Sequence, residues 1–191
     1  MSILSDKNIR RVLEAALILF ARHGFKRTSM ADIAREAGMA RATLYLHFKD
    51  KGLVFKALAA QLVDDALDRA GQAWIDQAPL HQNLEATILA KDLAFFTIMR
   101  ATPHGAELLS LNTELVTTEA QRLDEGFIAL LVVHAARLEK GGADLCPVGG
   151  AHEFAAFLSV TAAGIKYETR TEDAYRAAIG RLARVTAAAI Q

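Results

Sequence analysis

From Lys7 onward apolar residues return every three or four positions, and no stretch alternates apolar with polar, so the chain must fold as helices packed on helices. Only Pro79, Pro103 and Pro147 can interrupt the backbone ladder. The spacing predicts helices over 7–23, 29–37, 40–48, 51–76, 81–100, 104–111, 113–140, 150–167 and 172–190, making about nine in an all-α protein. The later breaks fall at Ala101-Thr-Pro, at a short turn near Asn112 and across Gly141 to Gly149. No internal repeat or low-complexity tract interrupts this order.

The punctuation between Gly24 and Gly38 is dense. Gly24 stands where the first helix needs a left-handed residue to stop. Ser29-Met30-Ala31-Asp32 then presents a capping hydroxyl with a carboxylate three residues on, and Gly38 ends the helix they start. A third short segment has Leu44 and Phe48 four apart on one face. Two short helices joined through a tight turn form a helix-turn-helix candidate, with Leu13, Leu17, Phe20, Phe25, Ile33, Ala34, Ala37, Leu44 and Phe48 as its core.

Charge supports the same division. The whole chain balances 22 Lys/Arg against 22 Asp/Glu. Residues 1–56, however, hold eleven basic and five acidic side chains, a net +6, and the remainder is −6. A basic head on an acidic body suits a polyanion at one end only.

The run from Thr28 to Phe55, which includes Thr43-Leu44-Tyr45, His47-Phe48-Lys49 and Lys51, resembles the DNA-binding domain of the TetR repressor family, and the resemblance covers about Ile9 to Leu58. It implies a helix-turn-helix DNA-binding domain over 1–50 and a helical ligand-binding and dimerisation domain over 51–191. The third helix is then expected in the major groove of an operator in double-stranded DNA. Arg41 near its start is the candidate base reader, because a guanidinium fork engages a guanine edge with two bonds; it could equally hold a phosphate. Thr43 could meet a thymine methyl or a phosphate. Tyr45, His47, Lys49 and Lys51 carry donors for phosphate oxygens, and Thr28 and the Ser29 cap could add further contacts. Members of the family often carry serine where Ala40 stands, and the alanine removes a helix cap and a polar contact.

For the body, the resemblance implies a homodimer and a small, lipophilic effector. The last two helices carry apolar stripes of Phe154, Phe157, Leu158, Val160 and Ile165, then Tyr175, Ile179, Leu182 and Val185, which would form the interface or close the chain's own core. Trp74, Phe95, Phe96, Met99, Phe127 and Leu130 would line an effector pocket or simply fill the core. Control by a protein partner, without a pocket, is the competing expectation.

Other classes find little support. No nucleophile with its base, carboxylate pair or phosphate loop is recognisable, so neither enzyme activity nor a cofactor is expected. The lone Cys146 cannot form an internal disulfide, and the histidines lack metal-ligand spacing. Neither a signal core nor a membrane-length apolar run is present, and a cytoplasmic location is expected.

Overall fold

A computed structural model describes residues 3–106, 114–146 and 149–190, with side chains from Lys7 onward except at 114–116. Eight helices are described: α1 (Ile3–His23), α2 (Met30–Glu36), α3 (Arg41–His47), α4 (Lys51–Ala73), α5 (Leu80–Ala101), α6 (Glu114–Lys140), α7 (Ala151–Glu168) and α8 (Glu172–Ala189). No strand occurs among the described residues, and the fold is all-α as the periodicity requires. The short helix expected over 104–111 and the turn near Asn112 fall largely outside the described residues. No described helix is long and apolar enough to cross a membrane.

The chain forms two compact units, one of residues 1–62 with 97–119, the other of 63–96 with 120–191. The division between residues 62 and 63 lies inside α4. In the first unit α1 packs on α2 and α2 on α3. Val12, Ala16, Phe20, Ile33, Leu44 and Val54 are wholly buried, and Phe55 and Leu58 of α4 join them. The rings of Phe20, Phe25 and Phe55 meet with centroids 5.2 to 5.9 Å apart, in tilted and edge-on arrangements suited to their quadrupoles. The first turns of α4 therefore complete the head's core.

In the second unit α7 packs on α8. Its core includes Leu84, Ile88, Phe127, Leu131, Phe154, Leu158 and Ile179. Gly126 lets α6 approach α4 closely, since a Cβ there would lie 2.7 Å from Leu67 Cδ1. A buried polar cluster crosses this core. Asp92 accepts bonds from Lys166 Nζ and Tyr175 Oη, both at 2.8 Å, and Lys91 Nζ lies 3.4 Å away. Burial alone would raise the Asp92 carboxyl, but the Lys91 and Lys166 ammoniums reverse this and hold it below its ordinary range. Lys91 also lies 4.3 Å from the Phe127 ring centre, a cation–π contact that partly replaces lost water.

Candidate nucleic-acid interface

The helix-turn-helix is built by the expected capping chemistry. Ser29 is the N-cap of α2: its hydroxyl accepts from Asp32 N at 3.2 Å, while its backbone N–H donates to Asp32 Oδ2 at 3.1 Å. The hydroxyl also donates to Asp32 Oδ2 at 2.6 Å. These bonds from Ser29, reinforced by Arg35, hold the Asp32 carboxyl below its ordinary range. The side chain of Ser29 is thus committed to starting α2, and its backbone N–H is taken by the Asp32 carboxylate.

The turn into α3 depends on Gly38, whose φ of +62° is left-handed. The Arg11 guanidinium donates to the carbonyls of Ala37 and Gly38, tying α1 to this turn. A Cβ at Gly38 would lie 2.9 Å from Arg11 Nη2, so glycine is required for space as well as conformation. Ala40 caps α3 without any side-chain bond. On α3, Leu44 points inward, Arg41, Ala42, Tyr45 and Leu46 are exposed, and Thr43 and His47 are half-buried. Phe48 beyond the helix is buried, and Lys49 is exposed. Leu46, with 84% of its surface open, has no role in the sequence reading. Its signal was its position: two residues after the buried Leu44, it lies about 200° round the helix, on the outer face.

Two of the expected phosphate contacts, Thr28 and Lys51, have hydrogen-bond partners within the chain. Thr28 is buried, and its hydroxyl donates to the carbonyl of Gly24 at 2.9 Å. Lys51 Nζ donates to the carbonyls of Phe25 at 2.8 Å, Thr28 at 3.0 Å and Lys26 at 3.1 Å, and lies over the Phe25 ring. Its three donors hold together the turn between α1 and α2, which makes it a positioning residue. Other basic groups stand at the surface instead. Arg22, His23, Arg27, Arg35 and His104 line a cleft of about 350 Å³ beside the start of α2. The sequence reading counted these arginines only in the net charge. A finer signal was their grouping around Gly24 and Ser29, at the end of one helix and the start of the next.

The expected interface and pocket residues are divided by their surroundings. Phe154, Leu158, Tyr175 and Ile179 are buried in the chain's own core. Phe157, Val160 and Val185 are exposed, and Ile165 and Leu182 are half-buried. The six expected pocket residues do not surround one described cavity. Phe96 stacks on Tyr175 and Phe127 lies under Lys91, both buried in packing. Phe95 packs beside Val63, Ala66 and Leu123, while Met99 belongs to the other unit. Leu130 is half-buried near Gly71. Trp74 alone among them lines a described cleft. No group of three His, Cys, Asp or Glu among the described residues could hold a metal ion.

Chemically, the head presents two features. The outer face of α3 exposes Arg41, Tyr45 and Leu46, and Arg22, Arg27 and Arg35 give the cleft beside α2 cationic hydrogen-bond donors.

Comparison with known proteins bears on this geometry. Residues 12–58 match the family model of bacterial regulatory proteins, tetR family. An HTH-type transcriptional regulator of Bacillus subtilis, YfiR, is 32% identical over 83 residues, covering 44% of this chain and 38% of that protein. TtgR of Pseudomonas putida, also an HTH-type transcriptional regulator, is 38% identical over 72 residues, covering 37% and 34%. The matched stretches therefore span about two fifths or less of these relatives' own length. Similarity of fold reaches further. SmeT, the repressor of the Stenotrophomonas maltophilia multidrug efflux pump SmeDEF, superposes with a TM-score of 0.65 at 23% identity, over 95% of this chain and 89% of that one. Its triclosan complex superposes at 0.70 over 96% and 92%, also at 23% identity. The capped helix-turn-helix and the matched segment agree, and residues 12–58 are those that match the tetR family of bacterial regulatory proteins.

Proposed function

We propose that the chain is a sequence-specific DNA-binding transcriptional repressor, acting as a homodimer on a palindromic operator and released by a small, lipophilic effector. The observation that carries this reading is the exposed outer face of α3, with Arg41 at its start, on a head with a net charge of +6. Arg41 reads a base edge; Tyr45 and Lys49 meet phosphates beside it, and Thr43 and His47, half-buried, are positioned at the rim of the same face. Ser29 acts by fixing the start of α2.

The homodimer is supported by Phe157, Val160 and Val185, large apolar side chains left exposed on the last two helices. A two-fold pair would set two α3 helices about one DNA turn apart, which is the reason for a palindrome. The effector is supported by analogy with SmeT, which has been solved with triclosan. Binding would act through differential affinity for two states of the helical body, with α4 as the continuous element shared by both units. Burial of Phe96 and Phe127 in packing favours a second reading, control by a protein partner without an interior pocket.

Selection of bound sequences from a random duplex pool at a fixed salt concentration tests the main reading. Enrichment of a near-palindrome with half-sites about ten base pairs apart is the expected result. Recovery of unenriched sequences would overturn it.

A further inference from the structure

The part of α3 that stands furthest from the core is apolar. Leu44 is the buried residue of this helix, so the direction opposite to it points out of the head. At about 100° per residue, Ala42 and Leu46, two positions before and two after Leu44, each fall about 20° from that direction and one turn apart. Tyr45 and Thr43 stand on either flank, about 80° from it. Both Ala42 and Leu46 are exposed. Leu46 keeps 84% of its surface open, more than any other large apolar side chain among the described residues.

Single exposed leucines occur on most protein surfaces, but this one stands at the apex of a helix on a head of net charge +6. The cations surround the apex rather than occupy it. Arg41 opens α3 and Lys49 follows it, both exposed, while Arg22, Arg27 and Arg35 line the cleft beside α2. A duplex drawn in by these charges meets two side chains that neither donate nor accept a hydrogen bond. In the major groove every base pair offers polar atoms, and the one apolar group is the C5-methyl of thymine. Leucine over any other base edge would strip water from donors and acceptors without replacing their bonds, which costs free energy. Over the methyl it removes apolar surface from water on both sides. Ala42, one turn earlier, is small enough to let that contact close.

We infer that Leu46 reads one thymine in each half-site by packing on its C5-methyl group, which makes it a specificity-determining residue beside Arg41. This rests on the regulatory reading of the head, and the two fail in different ways.

The probe is the duplex recovered by selection from a random pool, compared with copies in which one thymine per half-site is replaced by deoxyuridine, position by position. Deoxyuridine keeps every hydrogen-bonding atom of thymine and lacks only the methyl. At one position the replacement should weaken binding by the parent protein about fourfold per half-site, the effect of losing one buried methyl. Leu46→Ala removes the contact from the protein's side. Leucine is so exposed here, and alanine so compatible with a helix, that the variant keeps the fold. It should lose at least the same factor on the thymine duplex and bind the thymine and deoxyuridine duplexes alike, so that the two changes are non-additive. An enriched duplex without a methyl-sensitive position would overturn this inference and leave the regulatory reading in place. So would a methyl effect undiminished in Leu46→Ala, which would belong to Ala42 or Thr43 instead. A variant that binds every duplex as the parent does would also overturn it and leave Leu46 to a protein partner. A protein that enriches no duplex at all overturns the regulatory reading, and the role of Leu46 falls with it.

Discussion

Replacing Lys51 with methionine separates positioning from phosphate binding at one residue. The substitution keeps an apolar stem over the Phe25 ring and removes the ammonium that serves the carbonyls of Phe25, Lys26 and Thr28. A hydrogen bond from a charged donor contributes about 1.5–3 kcal/mol alone. These carbonyls line a partly exposed turn and rehydrate when released, so the net loss is about 2–4 kcal/mol rather than the sum of three. Against a domain stability of about 5–15 kcal/mol that is a large fraction, and in urea it should lower the midpoint by roughly 1–2 M. DNA affinity measured against salt on the folded protein supplies the second readout. A lysine on a phosphate would reduce the slope by about 0.9 when removed, whereas Lys51 in its observed place should leave the slope unchanged. Stability within about 0.5 kcal/mol of the parent, with a slope reduced by about one phosphate, would refute the positioning role.

Gly38→Ala should destabilise the head by about 1–3 kcal/mol, because alanine dislikes the left-handed φ and its Cβ would press on Arg11; an unchanged urea midpoint would contradict this. Ser29→Ala should cost about 1 kcal/mol near neutral pH through loss of the α2 cap. Because the folded Asp32 pKa is depressed, its contribution is present above the ordinary value of 3.8 and lost as pH falls through the lower folded value. The gap between parent and Ser29→Ala should therefore narrow in acid, and a gap that widened would reverse the assignment. Asp92→Asn leaves the buried Lys91 and Lys166 without their carboxylate and should cost about 3–5 kcal/mol in a denaturation curve; a loss under about 1 kcal/mol would mean the cluster is not ionised.

The head was legible because its signals are local. Gly24, Ser29, Asp32 and Gly38 act on neighbours within a few residues, and each does in the structure what its spacing implies. Long-range partners were not legible. Lys51 lies more than twenty residues from the carbonyls it holds, and Thr28 turns inward to the end of a preceding helix, so neither fate can be read from helical spacing. The same holds for Arg11, whose partners at Ala37 and Gly38 are reached only after α1 folds onto the turn. In the body, periodicity marked Phe154, Phe157, Leu158 and Val185 as apolar positions. The packing of α7 on α8 then decided which would be buried, leaving Phe157 and Val185 outside. The Trp74–His134 stack was invisible because it joins residues sixty apart in the chain.

The most direct test of α3 as the reading element compares the parent protein and Arg41→Ala on the selected duplex and on a scrambled one, by fluorescence anisotropy over a range of salt. If Arg41 reads a base, the variant loses about 1–3 kcal/mol on the selected duplex and relaxes preference at one position per half-site, with scrambled binding little changed. An equal loss on both duplexes would reduce Arg41 to a phosphate contact, and no loss on either would remove α3 from the groove.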